Sequence, residues 1–362
     1  MHTRSDVMRE AAVLEHEEVV IRTGVRSGLP IIIAVHSTAL GDAVGGCRMW
    51  PYPDWGAGLA DALALSAAMT LKCAAAGLDF GGGKSVIVLP PGTASRDVDR
   101  RAALLDFGDA VQGFGGRYHG GEDVGTSAED MWVARERTPW VHCLPVHHGG
   151  SGEPSELTAV GTFAAIEVTW RHLAGTSSLA GRRISIVGLG QVGGRLAGLL
   201  AEAGAELTVA DLDPGREELA RTLGARWVDA DTALTAEADI LVPAALGGML
   251  TGSLVPRLRC AAVVGPANNQ LASPSVAGDL ARRGIVWAPD FVVNAGGVIH
   301  GTIIDMGGGT PDEARNATLR IGDRLTDIYG EATAAGIVPY EAAIRLARRR
   351  ITDAAALRQA AG

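Results

Sequence analysis

The chain has 362 residues, 47% of them apolar and 20% charged, with a formal net charge of −9. That length exceeds one ordinary core and predicts two domains, while the acidic balance argues against nucleic acid as a partner. The first residues form a charged segment without an apolar run, so secretion is not expected; no uninterrupted apolar stretch reaches the ~18–20 residues of a membrane span, and Cys47, Cys73, Cys143 and Cys260 lack metal or redox spacing. Reduced thiols in a cytoplasmic protein are therefore expected, with no membrane partner.

In chain order, residues 30–35 read as a buried strand, and 59–76 as an alanine-rich helix with Lys72 near its end. Gly81-Gly82-Gly83-Lys84-Ser85 then leads into an apolar strand over 85–89. The Gly-Lys-Ser triplet resembles a phosphate-binding P-loop, but the required earlier glycine falls at Gly77 instead of at Leu78. A P-loop also precedes a helix, whereas this one precedes a strand, so ATP binding is rejected. Residues 97–114 read as a second helix, followed by a glycine-flanked acidic loop, Gly121-Glu122-Asp123-Val124-Gly125. Residues 147–154 have linker chemistry, and 158–172 form the helix entering a second domain.

A strand over 184–187 runs into Gly188-Leu189-Gly190-Gln191-Val192-Gly193, then a helical stretch over 195–203, a strand over 207–210, and Asp211. Strand, glycine turn, helix, strand and acid in that order form the dinucleotide-binding fingerprint. Gly188 permits the tight turn, Gly190 lets backbone approach a pyrophosphate, and Gly193 lets the helix pack on its strand. Asp211 accepts from the adenosine ribose hydroxyls and repels a 2′-phosphate; with no Arg or Lys at 212–214, NAD is expected over NADP. Further strands are predicted at 240–242, 262–264 and 286–288, and helices at 312–335 and 339–353. The predicted class is α/β in two domains: a substrate domain (1–147), a Rossmann NAD-binding domain (148–326), and C-terminal helices (327–362) returning to the first.

Lys84, between bare backbone and an apolar strand, is placed where desolvation lowers a lysine pKa, which suits a general base. Asp123 in the second glycine-flanked loop is a natural proton partner. Taken together, Gly45-Gly46, Lys72, Gly81–Lys84, Asp123-Val124-Gly125, Gly188–Gly194, Ala267-Asn268-Asn269 and the run from Pro289 to Gly297 resemble the glutamate/leucine/phenylalanine/valine dehydrogenases over roughly residues 30 to 355. The likeness is greatest to the shorter branch acting on apolar amino acids.

That resemblance implies that Lys72 holds the substrate carboxylate, Lys84 activates water, and Asp123 shuttles a proton at the amino group. It also implies that Asn268 touches substrate and cofactor, that Gly46 offers backbone to the substrate, and that Thr158, Ala244 and Asn294 lie near the dinucleotide. Cys47 stands where relatives carry threonine, and Ala244 where a cysteine is common.

The same resemblance implies a side-chain pocket of Val44, Met69, Gly121, Val298 and Gly301. None is charged, which disfavours glutamate; glycine at 121 and 301 leaves room for a phenylalanine-like side chain, with leucine or valine as the alternative. A dehydrogenase of another metabolite would lack the Lys72–Lys84 pair, and a non-catalytic NAD-binding protein would have lost Lys84 or Asp123. A homo-oligomer is expected. No metal is expected: among His119, His147, His148 and His300, the adjacent pair cannot easily share an ion and no carboxylate sits at ligand spacing.

Overall fold

Two sheets organise the chain in the computed structural model, which describes residues 15–361. The first contains β1 (Glu18–Thr23), β2 (Pro30–Ser37), β3 (Ala43–Pro51), β4 (Gly81–Leu89) and β5 (Tyr118–Glu122) in the order β1-β2-β4-β3-β5. β2 is antiparallel to β1 and β4, whereas β3 runs parallel to β4 and β5.

Alternation assigns the two faces of this sheet. Ile31, Ile33 and Val35 join Met49, Ile87, Leu104, Phe107 and Tyr118 on one side. Ile32, Ala34, Val86 and Val88 meet Leu59, Ala62 and Leu63 of the helix Trp55–Ala76 on the other. Covering both faces explains why β2 is a nearly unbroken apolar run. By length and composition Trp55–Ala76 could cross a membrane, although Asp61 and Lys72 interrupt it; here it packs on the sheet as a core helix, N-capped by Asp54 and ended by left-handed Gly77.

The second sheet holds β6 (Arg183–Val187), β7 (Glu206–Ala210), β8 (Arg226–Trp227), β9 (Ile240–Pro243), β10 (Ala262–Val263) and β11 (Val286–Trp287), all parallel, in the order β11-β10-β9-β6-β7-β8. This is the doubly wound dinucleotide-binding order, with its switch point between β6 and β9.

The chain divides into two units: one comprises residues up to Glu153, Ile304–Gly308 and the residues from Ala347 onward, the other Pro154–Ile303 and Gly309–Leu346. The last helix, Pro339–Ala361, thus contributes to both, and in the first unit Arg350 donates to the carbonyl of Leu78 and pairs with Asp79 at 2.6 Å. The helix expected over 312–335 is two, Pro311–Leu319 and Ile321–Ala335, parted at Arg320 where ψ is −5°. The helix after the glycine turn starts at Gln191, earlier than 195, because Gly190 already serves as its N-cap.

Candidate active site

The triple glycine, read as leading into a strand over 85–89, is itself the buried start of β4, so Lys84 projects from a strand. Glycine is required there because the helix crosses so closely: a Cβ on Gly82 would lie 2.1 Å from the Thr70 amide nitrogen. Lys84 shares parity with Val86 and Val88, which places it on the sheet face that carries this helix. Val44 pairs with Gly82 and with His119, and Gly46 with Gly121. Register therefore gathers Val44, Gly46, Lys84 and Gly121 on one face, and Asp123 follows two residues beyond Gly121.

Lys84 is 5% exposed, and its Nζ stands 2.9 Å from Asp123 Oδ2. Burial pulls the lysine below its ordinary pKa against the opposing pull of Asp123. Burial alone would raise Asp123, but Lys84 and Arg48 outweigh it and hold the carboxyl low. A Cβ on Gly46 would lie 2.7 Å from Asp123 Cβ, so bare backbone at 46 leaves the carboxylate room. Lys72 lies four residues before Ala76, the helix's last residue, and Met69 lies three residues before Lys72; both are half-buried.

Sequence reasoning missed Arg48. Its Nε donates to Asp123 Oδ2 and its Nη1 to Asp61 Oδ2, each at 2.9 Å, and Tyr52 donates to the same Asp61 oxygen at 2.5 Å. Asp123 is thus clamped between two cations. Arg48 stands two residues after Gly46 on the same face of β3, a relation that shows only once that strand is known. Also missed was Asp305, which accepts from the amides of Cys143 (2.7 Å) and Ser151 (3.0 Å). Cys143 has φ of 59°, and its Sγ lies 3.3 Å from where a Cβ on Gly121 would stand, so the space beside Gly121 is partly filled.

In the second unit, Gly188 has φ of 108°, and a Cβ there would strike Ala244 at 2.7 Å. A Cβ on Gly193 would lie 2.0 Å from the Gly188 carbonyl oxygen, whereas Gly190 is exposed with open space above it. The helix N-terminus at Gln191, Val192 and Gly193 offers amides without intrahelical partners, so the cradle fits a pyrophosphate. Asp211 accepts from Leu189 N–H at 2.6 Å and Asp213 N–H at 2.8 Å. Asn294 Nδ2 donates to Asn268 Oδ1 at 2.7 Å, while Asn294 Oδ1 is buried with no partner. That orphaned acceptor suits a carboxamide N–H. Thr158 Oγ1 lies 3.5 Å from a Cβ position on Gly297; Val298 is half-buried, and buried Gly301 opens a π-helical turn, Gly301–Met306.

Among the histidines, His119 Nδ1 lies 2.8 Å from His142 Nε2, and burial together with His119 pushes His142 down to about 4. Both ring nitrogens of His300 are buried without a partner. The expectation that no carboxylate accompanies His147 and His148 fails: folding brings Glu129 Oε1 within 3.6 Å of His147 Nε2.

Residues 13–140 match the model for the Glu/Leu/Phe/Val dehydrogenase dimerisation domain, and residues 209–306 the Glutamate/Leucine/Phenylalanine/Valine dehydrogenase model. Phenylalanine dehydrogenase of Lysinibacillus sphaericus is 39% identical over 96% of this chain and 91% of its own. Valine dehydrogenase of Streptomyces virginiae is 41% identical over 94% of each. The crystal structure of L-tryptophan dehydrogenase from Nostoc punctiforme superposes with a TM-score of 0.83 at 33% identity, covering 97% of this chain and 99% of that one.

Proposed function

The chain belongs to the glutamate/leucine/phenylalanine/valine dehydrogenase family and is an amino-acid dehydrogenase, and from that premise we propose that it catalyses reversible, NAD-dependent oxidative deamination of a bulky apolar L-amino acid. The observation that carries this reading is the ion pair between buried Lys84 and half-buried Asp123, at 2.9 Å, on the sheet face shared with Gly46. The family uses a nicotinamide dinucleotide, which supplies the acceptor for the hydride leaving Cα. Asp211, followed by Leu212-Asp213-Pro214 with no Arg or Lys among them, favours NAD over NADP.

In this reading Lys72 holds the substrate carboxylate and Gly46 presents backbone to it. Asp123 takes a proton from the amino group, leaving the nitrogen lone pair free to drive hydride loss from Cα and form the imine. Neutral Lys84 then accepts a proton from the water that adds to the imine carbon. Asp123 returns a proton to nitrogen, and ammonia departs as the C=O bond forms. The sum is amino acid, NAD⁺ and water giving 2-oxo acid, ammonium, NADH and a proton.

The residues that the family resemblance implies for the side-chain pocket are Val44, Met69, Gly121, Val298 and Gly301. These uncharged residues give no partner for a second carboxylate, and two glycines favour phenylalanine over the branched-chain alternative. A homo-oligomer is proposed on the matched dimerisation domain, and a cytoplasmic setting on four unpaired thiols. The test is NADH production against a panel of L-amino acids at alkaline pH, with NADP⁺ in parallel. Turnover greatest with phenylalanine and NAD⁺ is expected; no turnover with any apolar amino acid would overturn the assignment.

A further inference from the structure

We propose that Glu129, His147 and His148 form a surface site for a divalent transition ion of the zinc class, outside the dehydrogenase chemistry. One ligand atom from each of these exposed side chains lies within 4.8 Å of the other two. Two imidazoles and a carboxylate are a donor set for zinc, and three protein ligands leave one position to water.

Local structure explains how distant residues meet. Ser127 N-caps the helix Ala128–Arg135 in a capping box with Asp130, which fixes Glu129 in the first turn. Trp132, at i+3, shares that face of the helix. Its indole stacks on His148 at 3.9 Å and 5°, holding that imidazole beside Glu129. His147 and His148 come from a 3-10 turn, Val146–His148, closed by left-handed Gly149, whose N–H donates to Val146 O at 2.9 Å. The turn overrides the usual difficulty of adjacent histidines: their ring centroids stand 4.3 Å apart at 45°, so both can offer nitrogen toward one point. Zinc–nitrogen bonds of about 2.0–2.1 Å require ligand atoms closer together than 4.8 Å, a change that side-chain torsions of exposed residues can supply. A lone His147–Glu129 pair would not need the second imidazole or the tryptophan that positions it. Bound metal would tether the helix that follows Asp123 to the 146–148 turn, stabilising the folded chain by mass action.

The experiment is calorimetric titration of ZnCl2 into tag-free, chelator-treated full-length protein. One zinc per chain is expected at this site, weakened at least tenfold by Glu129→Gln, His147→Ala or His148→Ala, and abolished in the double histidine variant. Zinc should raise the Tm of the parent but not of the double variant, while the metal-free Tm values coincide. Co²⁺ in place of zinc should give visible d–d bands without a thiolate charge-transfer band. Absence of zinc uptake, unchanged uptake by the double variant, or a thiolate band assigning the ion to cysteine would each overturn the proposal.

Discussion

Asp123 Oδ2 is shared: Lys84 Nζ and Arg48 Nε each approach it to 2.9 Å, from strands that lie side by side in the sheet. Two cations on one carboxylate oxygen keep Asp123 ionised, while burial inclines Lys84 to give up its proton. If neutral Lys84 is the working base, kcat/KM should climb with pH through a limb below the ordinary lysine value of about 10.4. Lys84→Ala should lose roughly 10²–10⁴-fold in rate and flatten that limb, with NAD binding intact by calorimetry. Wild-type turnover in Lys84→Ala would remove lysine from the mechanism.

In the proposed mechanism Arg48 would act through Asp123 and Lys84, as a positioning residue. Its positive charge lowers both neighbours' pKa values, so Arg48→Met should move the Lys84 limb to higher pH and ease protonation of Asp123. Arg48→Lys keeps the charge and should restore the position of the limb more fully than it restores kcat, since the bridge to Asp61 needs the fork of a guanidinium. Identical pH profiles in parent and Arg48→Met would deny Arg48 this role.

Much of this site was legible in the chain, and the exceptions have physical causes. The β6–glycine–helix–β7–Asp211 series was readable because each residue's job is local. Strand β3 was not: Gly45, Gly46 and Arg48 break the β-branched alternation that marks strands, and those glycines are there because a Cβ at 45 would lie 1.9 Å from the Gly83 carbonyl oxygen. Without β3, the cross-strand register that delivers Arg48 to Asp123 is invisible. The Arg320 break went unseen because neither proline nor glycine marks it. Glu129 and His148 met only through tertiary folding and a tryptophan stack, which no spacing rule encodes.

Stability should depend on Asp106 at acid pH. This buried carboxylate accepts from the Ser27 amide (2.8 Å) and hydroxyl (2.9 Å), and from the Arg26 amide and guanidinium, tying the β1–β2 turn to the helix Arg100–Gln112. Burial alone would raise its pKa, but these donors hold it below the ordinary value. The stabilisation is therefore complete above about pH 4 and lost as pH falls through the lower folded value. Asp106→Ala should cost about 2 kcal/mol or more at neutral pH, and less near pH 2, by urea denaturation. An equal loss at both pH values would contradict the assignment to the ionised form.

Asp211 has a second duty that predicts its mutant. By accepting from Leu189 N–H at 2.6 Å it also braces the glycine turn, so in the proposed reading Asp211→Ala should remove a ribose acceptor and loosen the cradle together. NAD affinity should fall by about 1.5–3 kcal/mol, roughly 10- to 150-fold, with NADP affected less because it loses a repulsion as well. Calorimetry with both dinucleotides checks this; tighter binding of NADP by the parent would reverse the cofactor assignment.

In the proposed reading, specificity should turn on how much space Gly121 leaves. Cys143 Sγ lies 3.3 Å from the position of a Cβ there, and Asp305 pins the Cys143 amide at 2.7 Å, so the sulfur can retreat only by rotating its side chain. Gly121→Ala should push that sulfur toward any bulky substrate and lower kcat/KM for phenylalanine more than for valine. A methylene-sized change carries about 0.8 kcal/mol, roughly fourfold, and crowding can extend the loss toward the 10–200-fold range. Adding Cys143→Ala to Gly121→Ala removes the displaced atom and should recover most of the phenylalanine activity, whereas Gly301→Val should narrow the preference without responding to position 143. Parent enzyme that prefers valine, or an unchanged preference in Gly121→Ala and Gly301→Val, would dismiss these glycines as the source of selectivity.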